Sequence, residues 1–136
     1  MTTMRIEHVN VTVSDADRSA ELMQRIFGWR VRWSGPARDG GRSVHVGSDE
    51  HYLALYTSPD PAEGASEFIK GHPLNHIGVE VADLETVEAK VSQAGLTPFA
   101  HGDYEPGRRF YFLDPDGIEY EVVSYQVPAL PNESVK

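Results

Sequence analysis

One short motif occurs twice in this 136-residue chain. His8-Val-Asn-Val-Thr-Val-Ser-Asp15 returns as His76-Ile-Gly-Val-Glu-Val-Ala-Asp83. In each copy a histidine opens an alternating strand, and the closing aspartate is placed to cap a helix. A repeat of this kind predicts two similar half-domains that share one polar centre.

The composition excludes several classes of function. Twelve basic residues against 21 acidic ones give a net charge of −9, and no basic stripe is present, so a nucleic-acid partner is not expected. The chain has no cysteine, which leaves His, Asp and Glu as metal ligands. Its first residues lack the apolar core of a signal peptide, and no apolar run reaches membrane-spanning length, so we expect a cytoplasmic protein without a membrane partner.

The hydrophobic pattern predicts the same order of elements, β-α-β-β-β, in each half. We expect one α+β domain over residues 1–136, with module 1 at about 5–57, a linker at 58–73 and module 2 at about 74–126. Because one module has a polar face that it cannot bury alone, the two are expected to form a cup-shaped mixed sheet, within one chain or across a homodimer. The predicted strands are Ile6–Val13, Trp29–Trp33, Arg42–Val46, His51–Thr57, Leu74–Val81, Leu96–Ala100, Arg109–Leu113 and Ile118–Tyr125, with loops at Pro36–Gly41, His101–Gly107 and Asp114–Gly117.

Three residues of the repeat point to a metal site. His8 and His76 occupy equivalent positions on the first strand of each module, and Glu121 lies in the middle of the last strand. Two imidazoles and one carboxylate form a face that suits a divalent metal with open coordination positions. The repeat places Ala54 where a fourth ligand would stand, so we expect three protein ligands.

The chain resembles the vicinal oxygen chelate superfamily, which includes glyoxalase I, fosfomycin- and bleomycin-resistance proteins and extradiol dioxygenases. The resemblance covers roughly residues 5 to 126. Three strings carry it: His8-Val-Asn-Val-Thr-Val, Leu74-Asn-His-Ile-Gly-Val-Glu-Val, and Phe110-Tyr-Phe-Leu-Asp-Pro-Asp-Gly-Ile-Glu-Tyr-Glu121. It implies the glyoxalase/bleomycin-resistance/dioxygenase fold, a divalent metal and a small-molecule substrate.

Within that superfamily the chain is most similar to the extradiol dioxygenases. The similarity implies Fe(II), with Mn, Zn or Ni as further candidates, bound by His8, His76 and Glu121. It also implies ring cleavage of a catechol-like substrate. His51 would be the acid–base residue and Tyr111 would orient the substrate, while His101 is a further candidate and His45 has no assigned role. His51 has the opposite strand parity from Ala54, so its role requires a bulge or a strand end.

Other activities within the superfamily remain open at this point. Glyoxalase I and methylmalonyl-CoA epimerase, a further member of the superfamily, use a fourth ligand where this chain has Ala54. Fosfomycin-resistance proteins share the ligand set but have threonine at the position of Asn10. After the dioxygenase, the second hypothesis is therefore a metal-dependent lyase, isomerase or transferase, and the third is a non-catalytic small-molecule-binding protein. The Arg108-Arg109 pair is expected to form a solvated rim, with contact to an acidic substrate as the alternative.

Overall fold

The chain consists of two units that repeat one topology. The computed structural model describes residues 4–60, 68–104 and 107–126. The chain divides into Met1–Phe68 and Ile69–Lys136, and this boundary falls inside the predicted linker at 58–73. In the described residues, each unit contains four strands and one helix in the order β-α-β-β-β, which confirms the predicted α+β class and the repeat.

Over residues 4–60, unit 1 forms a four-stranded mixed sheet and one helix. The strand order is β1-β4-β3-β2. β1 pairs with β4 in parallel, and the other two pairs are antiparallel. The elements are β1 (His8–Thr12), α1 (Ala16–Phe27), β2 (Arg30–Pro36), β3 (Arg42–Gly47) and β4 (Tyr52–Thr57).

The ends of α1 follow directly from the sequence. The side chain of Asp15 accepts a hydrogen bond from the backbone N–H of Arg18 at 3.1 Å, which satisfies one of the free donors of the first turn. Gly28 has a φ of 71° and ends the helix in the left-handed conformation, with its N–H donating to Gln24 O at 2.9 Å. Both ends lie where the sequence predicts them.

Unit 2 repeats this topology with the strand order β5-β8-β7-β6. Asp83 caps its helix by accepting from the backbone N–H of Thr86 at 3.2 Å. The predicted turn is also present, because Gly117 N–H donates to Asp114 O at 2.9 Å. The elements are β5 (Ile77–Glu80), α2 (Leu84–Gln93), β6 (Phe99–Tyr104), β7 (Gly107–Leu113) and β8 (Glu119–Ser124).

The second strand of unit 2 differs from the prediction. A strand at Leu96–Ala100 and a loop at His101–Gly107 were expected, but β6 runs from Phe99 to Tyr104. Ala100 has a φ of 53°, and the β6–β7 register shifts between Phe99 and Gly102. This bulge breaks the simple alternation by which a strand is recognised in a sequence, so the prediction ended the strand too early. Residues 105 and 106 lie outside the described part of the chain.

Each helix packs on one face of its own sheet, and this leaves the other face to the polar residues. In unit 2, Phe112 and Tyr120 stack on the helix side with ring centroids 5.1 Å apart, and both are nearly inaccessible to solvent. In the described part of the chain, no helix has the length and apolar character to cross a membrane. The fully buried core positions include Met23, Ile26, Val44, Val46 and Leu55 in unit 1, and Val91, Phe110, Phe112, Tyr120 and Val122 in unit 2.

Candidate functional site

The strand register of unit 2 places two predicted site residues side by side. Glu121 on β8 pairs with Gly78 on β5 and with Tyr111 on β7. His76 lies two residues before Gly78 in the extended chain that leads into β5. Because side chains two residues apart share a face, His76, Glu121 and Tyr111 project from the face opposite α2.

His76 and Glu121 are in direct contact. Nε2 of His76 lies 3.0 Å from Oε1 of Glu121, and the Glu121 side chain is only 13% exposed. On the other side of the ring, Nδ1 lies 2.7 Å from Oδ1 of Asn75. Because an amide oxygen only accepts, Nδ1 is the donor in that contact, and Nε2 is the ring nitrogen that faces the carboxylate.

Arg109 belongs to the same cluster. Its Nη1 donates to Oε2 of Glu121 at 2.8 Å, and its side chain is 13% exposed. The guanidinium also lies over the ring of Tyr104, 4.9 Å from the centroid. Arg109 is therefore largely buried and paired with Glu121, and the expectation that it forms a solvated rim is wrong. The sequence did contain one sign of this: Arg109 lies two residues before Tyr111 on the same strand, so the two side chains share a face.

Tyr111 lies beside the carboxylate as a neutral phenol. Burial raises the pKa of Tyr111, and the negative charge of Glu121 raises it further. Its ring meets that of His76 edge-on, with centroids 6.0 Å apart. At neutral pH the hydroxyl therefore keeps its proton and is able to donate a hydrogen bond.

Unit 1 carries the other predicted histidine on the equivalent face. His8 pairs with Tyr52, and Asn10 pairs with Ala54. Ala54 is 3% exposed and, as the repeat predicts, has no ligating atom where Glu121 stands in unit 2. The structure thus supports the equivalence of the two positions by register as well as by sequence.

The histidine of unit 1 is oriented in the same way as that of unit 2. Nδ1 of His8 lies 2.8 Å from Oε1 of Glu7, the residue immediately before it. This hydrogen bond is the main reason why the pKa of Glu7 is lowered. Metal-bound histidines characteristically donate their second ring N–H to such an acceptor, which leaves the other nitrogen for the metal. Glu7 and Asn75 are therefore equivalent orienting residues, which the sequence reasoning missed.

His45 is a second residue that the sequence left without a role. It pairs with Ala54 on β4, so it shares the face of His8. Its ring stacks on Tyr52 with centroids 4.6 Å apart. Burial lowers the pKa of His45, and electrostatic interactions with His8 and Arg32 lower it further. The imidazole is thus neutral at pH 7 and is able to accept a proton.

Two predicted candidates lie away from these faces. His51 is exposed in the turn between β3 and β4, where its backbone oxygen accepts from Ser48 N–H at 2.9 Å. His101 follows the bulge at Ala100 and turns to the helix side, where Nε2 lies 2.7 Å from Glu88 Oε2. The structure therefore gives the strand-end position that His51 requires, but within their own units it does not group His51 with His8 or His101 with Glu121.

Two of the predicted ligands lie at a spacing that suits a divalent metal. Within either unit, the described residues contain no group of three His, Asp or Glu side chains that would hold an ion. The pair in unit 2 nevertheless fits one, since two ligand atoms at right angles, each about 2.1 Å from an ion, lie roughly 3.0 Å apart. The measured separation of His76 Nε2 and Glu121 Oε1 is 3.0 Å. Addition of His8 as the third ligand stays a prediction.

Comparisons with known proteins agree with this architecture. Residues 5–122 match the family model described as Glyoxalase/Bleomycin resistance protein/Dioxygenase superfamily. Glutathione transferase FosA of Serratia marcescens is 28% identical over 123 residues, which are 86% of this chain and 78% of that protein.

Solved structures share the fold. A glyoxylase/bleomycin resistance protein/dioxygenase domain from Frankia sp. EAN1pec has a TM-score of 0.78 at 21% identity, over 92% of this chain and 100% of the other. The E126Q mutant of the fosfomycin resistance protein FosX from Listeria monocytogenes, in complex with Mn(II) and a dihydroxypropylphosphonic acid, has a TM-score of 0.71 at 14% identity, over 99% and 100% of the two chains.

Proposed function

The chain belongs to the glyoxalase/bleomycin resistance protein/dioxygenase superfamily, and on that basis we propose that it is an enzyme that uses one divalent metal to act on a small molecule. The proposed ligands are His8, His76 and Glu121. The observation that carries the proposal is the pairing of His76 Nε2 with Glu121 Oε1 at 3.0 Å, beside an Asn75 oxygen that fixes the ring.

Each side chain has a defined part in binding the metal. The orienting contacts of Glu7 and Asn75 keep the Nδ1 proton in place, so Nε2 of each histidine is the nitrogen available to the metal. Ala54 supplies no ligand, which keeps coordination positions open for substrate oxygens. When bound, a divalent metal would act as a Lewis acid and polarise those oxygens.

For the reaction we propose extradiol-type cleavage of a catechol-like ring with Fe(II), and Tyr111 supports it. Its protonated hydroxyl stands beside Glu121 and would donate a hydrogen bond to a deprotonated substrate oxygen. The substrate must also lose a proton to a base. His51 is the base that the sequence predicts. His45 is the alternative that the geometry favours, because it lies on the face of His8 and is neutral at pH 7.

A second reaction is favoured by the similarity to a curated glutathione transferase. A divalent metal held by the same three ligands would polarise an epoxide oxygen; the thiol sulfur would add to a ring carbon as its C–O bond breaks, and the released oxygen would take up the thiol proton to give an alcohol. Two features oppose a close functional match: Asn10 stands where the resemblance implies threonine, and the positive side chain nearest Glu121, Arg109, precedes it in the sequence instead of following it.

Metal binding is the first test of the proposed function. Protein freed of metal by a chelator is titrated with Mn(II) or, anaerobically, with Fe(II), and one metal site per chain is expected. The variants His8→Ala, His76→Ala and Glu121→Gln are each expected to lose this site. His101→Ala is the matched control, since it removes a histidine of unit 2 from the opposite face. A wild-type protein that takes up no divalent metal would refute the proposal.

A substrate panel separates the two reactions. A set of catechols with Fe(II) and O₂ is expected to give yellow ring-opened products, and an epoxide with glutathione and Mn(II) is the comparison. Thiol consumption without ring opening would reject the dioxygenase in favour of the transferase. If neither reaction occurs but ligands bind without metal, a binding protein is the better description.

We also propose a homodimer, because each module presents a polar face that a single module does not bury. Light scattering on the purified protein measures this directly. A single species with the mass of one chain, 15.1 kDa, at working concentrations would reject it.

A further inference from the structure

We infer that Arg109 is a positioning residue that holds Glu121 as a single-oxygen metal ligand and makes the site selective for anionic chelating substrates. This inference rests on the proposed function. It begins from the two oxygens of Glu121, which have different partners: Oε1 lies 3.0 Å from His76 Nε2, and Oε2 accepts from Arg109 Nη1 at 2.8 Å.

The register explains why the guanidinium reaches that oxygen. Tyr111 lies directly opposite Glu121 in the β7–β8 pair, and Arg109 lies two residues earlier on the same face. It is therefore the diagonal neighbour of Glu121, within reach of a long side chain. The contact is thus built into the sheet.

The guanidinium is fixed on several sides. Nη2 donates to Gly107 O at 3.2 Å, and the ring of Tyr104 lies under the group. With a side chain only 13% exposed, Arg109 has little freedom to leave Oε2. One terminal nitrogen of the planar guanidinium thus holds the carboxylate while the other is held by the backbone of the same strand.

Two consequences follow for a bound metal. First, a carboxylate whose Oε2 is held by Arg109 offers only Oε1, so it occupies one coordination position and leaves the neighbouring one to substrate. Second, the guanidinium already neutralises the charge of Glu121. A dication at this site would keep nearly its whole double charge, and a substrate with two anionic oxygens would be the preferred ligand.

The positive charge of Arg109 determines the direction in which the Mn(II) affinity should change when the residue is replaced. Arg109→Met keeps most of the apolar stem but removes a positive charge beside the metal. Mn(II) should then bind more tightly, by about tenfold, because one repulsive charge near the ion is gone. A residue that only supports the structure would change the affinity in the opposite direction. Free Mn(II), counted by its electron paramagnetic resonance signal, gives this affinity without any turnover.

The anion preference gives the second readout. Oxalate, a chelating dianion, is expected to bind the Mn(II)-loaded Arg109→Met protein at least tenfold more weakly than the loaded wild type, measured by calorimetry. Arg109→Lys keeps the charge and should keep the Mn(II) affinity of the wild type. Arg108→Met is the matched control: the adjacent arginine pairs with Glu85 on the helix side, so both affinities should stay unchanged.

The measurements distinguish a failure of this inference from a failure of the proposed metal site. Wild-type protein that binds no Mn(II) overturns both. Wild-type protein that binds Mn(II), with an Arg109→Met variant that binds it equally or more weakly, overturns only the inference. If Arg109→Met does not fold, Arg109→Gln takes its place, since it keeps a donor for Glu121 without the charge.

Discussion

His45 and Tyr111 occupy the same position in the two modules. His45 on β3 pairs with Ala54, and Tyr111 on β7 pairs with Glu121, the residue that the repeat matches to Ala54. Each ring in turn faces an aromatic residue on the next strand, Trp33 in unit 1 and Phe99 in unit 2. The two modules therefore present a potential proton acceptor and a proton donor from one structural position.

The first prediction concerns that proton acceptor. If His45 is the base, His45→Gln should lower kcat by about 10²–10⁴-fold, the range for loss of a general base, with metal content unchanged. His51→Gln should leave kcat unchanged, because His51 lies in the exposed turn before β4. Both are measured on the substrate that responds in the panel. The reverse pattern would return the role to His51.

The second prediction concerns the orienting residues. Asn75→Ala removes the oxygen that lies 2.7 Å from His76 Nδ1. Divalent metal affinity should fall about 10–100-fold, as it does when such partners of ligand histidines are lost. Asn75→Asp is the control, since it keeps an acceptor at the same place. Equal affinity of the alanine variant and the wild type would show that the ring needs no such partner.

The third prediction is a pH dependence of stability. Burial strongly raises the pKa of Tyr120, whose side chain is fully enclosed. An unfolded chain releases this proton near pH 10, about the value for a free tyrosine, whereas the folded chain keeps it. Tyr120 therefore contributes its whole share of the unfolding free energy below about pH 10, and this contribution decreases as the pH rises further.

Alkaline denaturation with and without Tyr120→Phe measures this effect. The variant should lose stability less steeply above pH 10, whereas Tyr125→Phe, which alters a side chain 52% exposed, should not change the slope. Parallel curves for all three proteins would contradict the assignment.

The fourth prediction tests a helix end. Gly28 has a φ of 71°, and an added Cβ would meet nothing within 4 Å. Gly28→Ala should therefore cost only the strain of the left-handed conformation, about 1–2 kcal/mol. Urea unfolding measures the loss, with the exposed helix position Glu21→Ala as control, for which we expect less than about 0.5 kcal/mol. A loss well above 2 kcal/mol would mean that the added methyl also disturbs packing.

The sequence was sufficient for the parts of the fold that follow local periodicity. The caps at Asp15 and Asp83 and the paired position of His76 and Glu121 follow from alternation and turn residues, which a single sequence shows. The bulge at Ala100 does not, because a one-residue register shift leaves no mark in composition. The prediction of a loop for His101 failed for that reason.

Contacts between side chains on neighbouring strands could not be predicted from the sequence either. The contact of Arg109 with Glu121 depends on the diagonal of the β7–β8 pair, and the face of His45 depends on the β3–β4 register. A sequence gives the parity of a residue within its own strand, but it does not give the alignment with the neighbouring strand. The surroundings of the proposed site were therefore less predictable than the contact between His76 and Glu121.

The contacts of Glu7 with His8 and of Asn75 with His76 determine how the histidines would behave if the modules were rearranged. Each imidazole is aimed by the residue before it in the chain, so its tautomer is set within a dipeptide. Circular permutation between the modules, or exchange of a module between two copies, would carry each aimed histidine along intact. The orientation of each ring is therefore independent of the carboxylate of its module, since His8 has its orienting partner although Ala54 stands where unit 2 has Glu121.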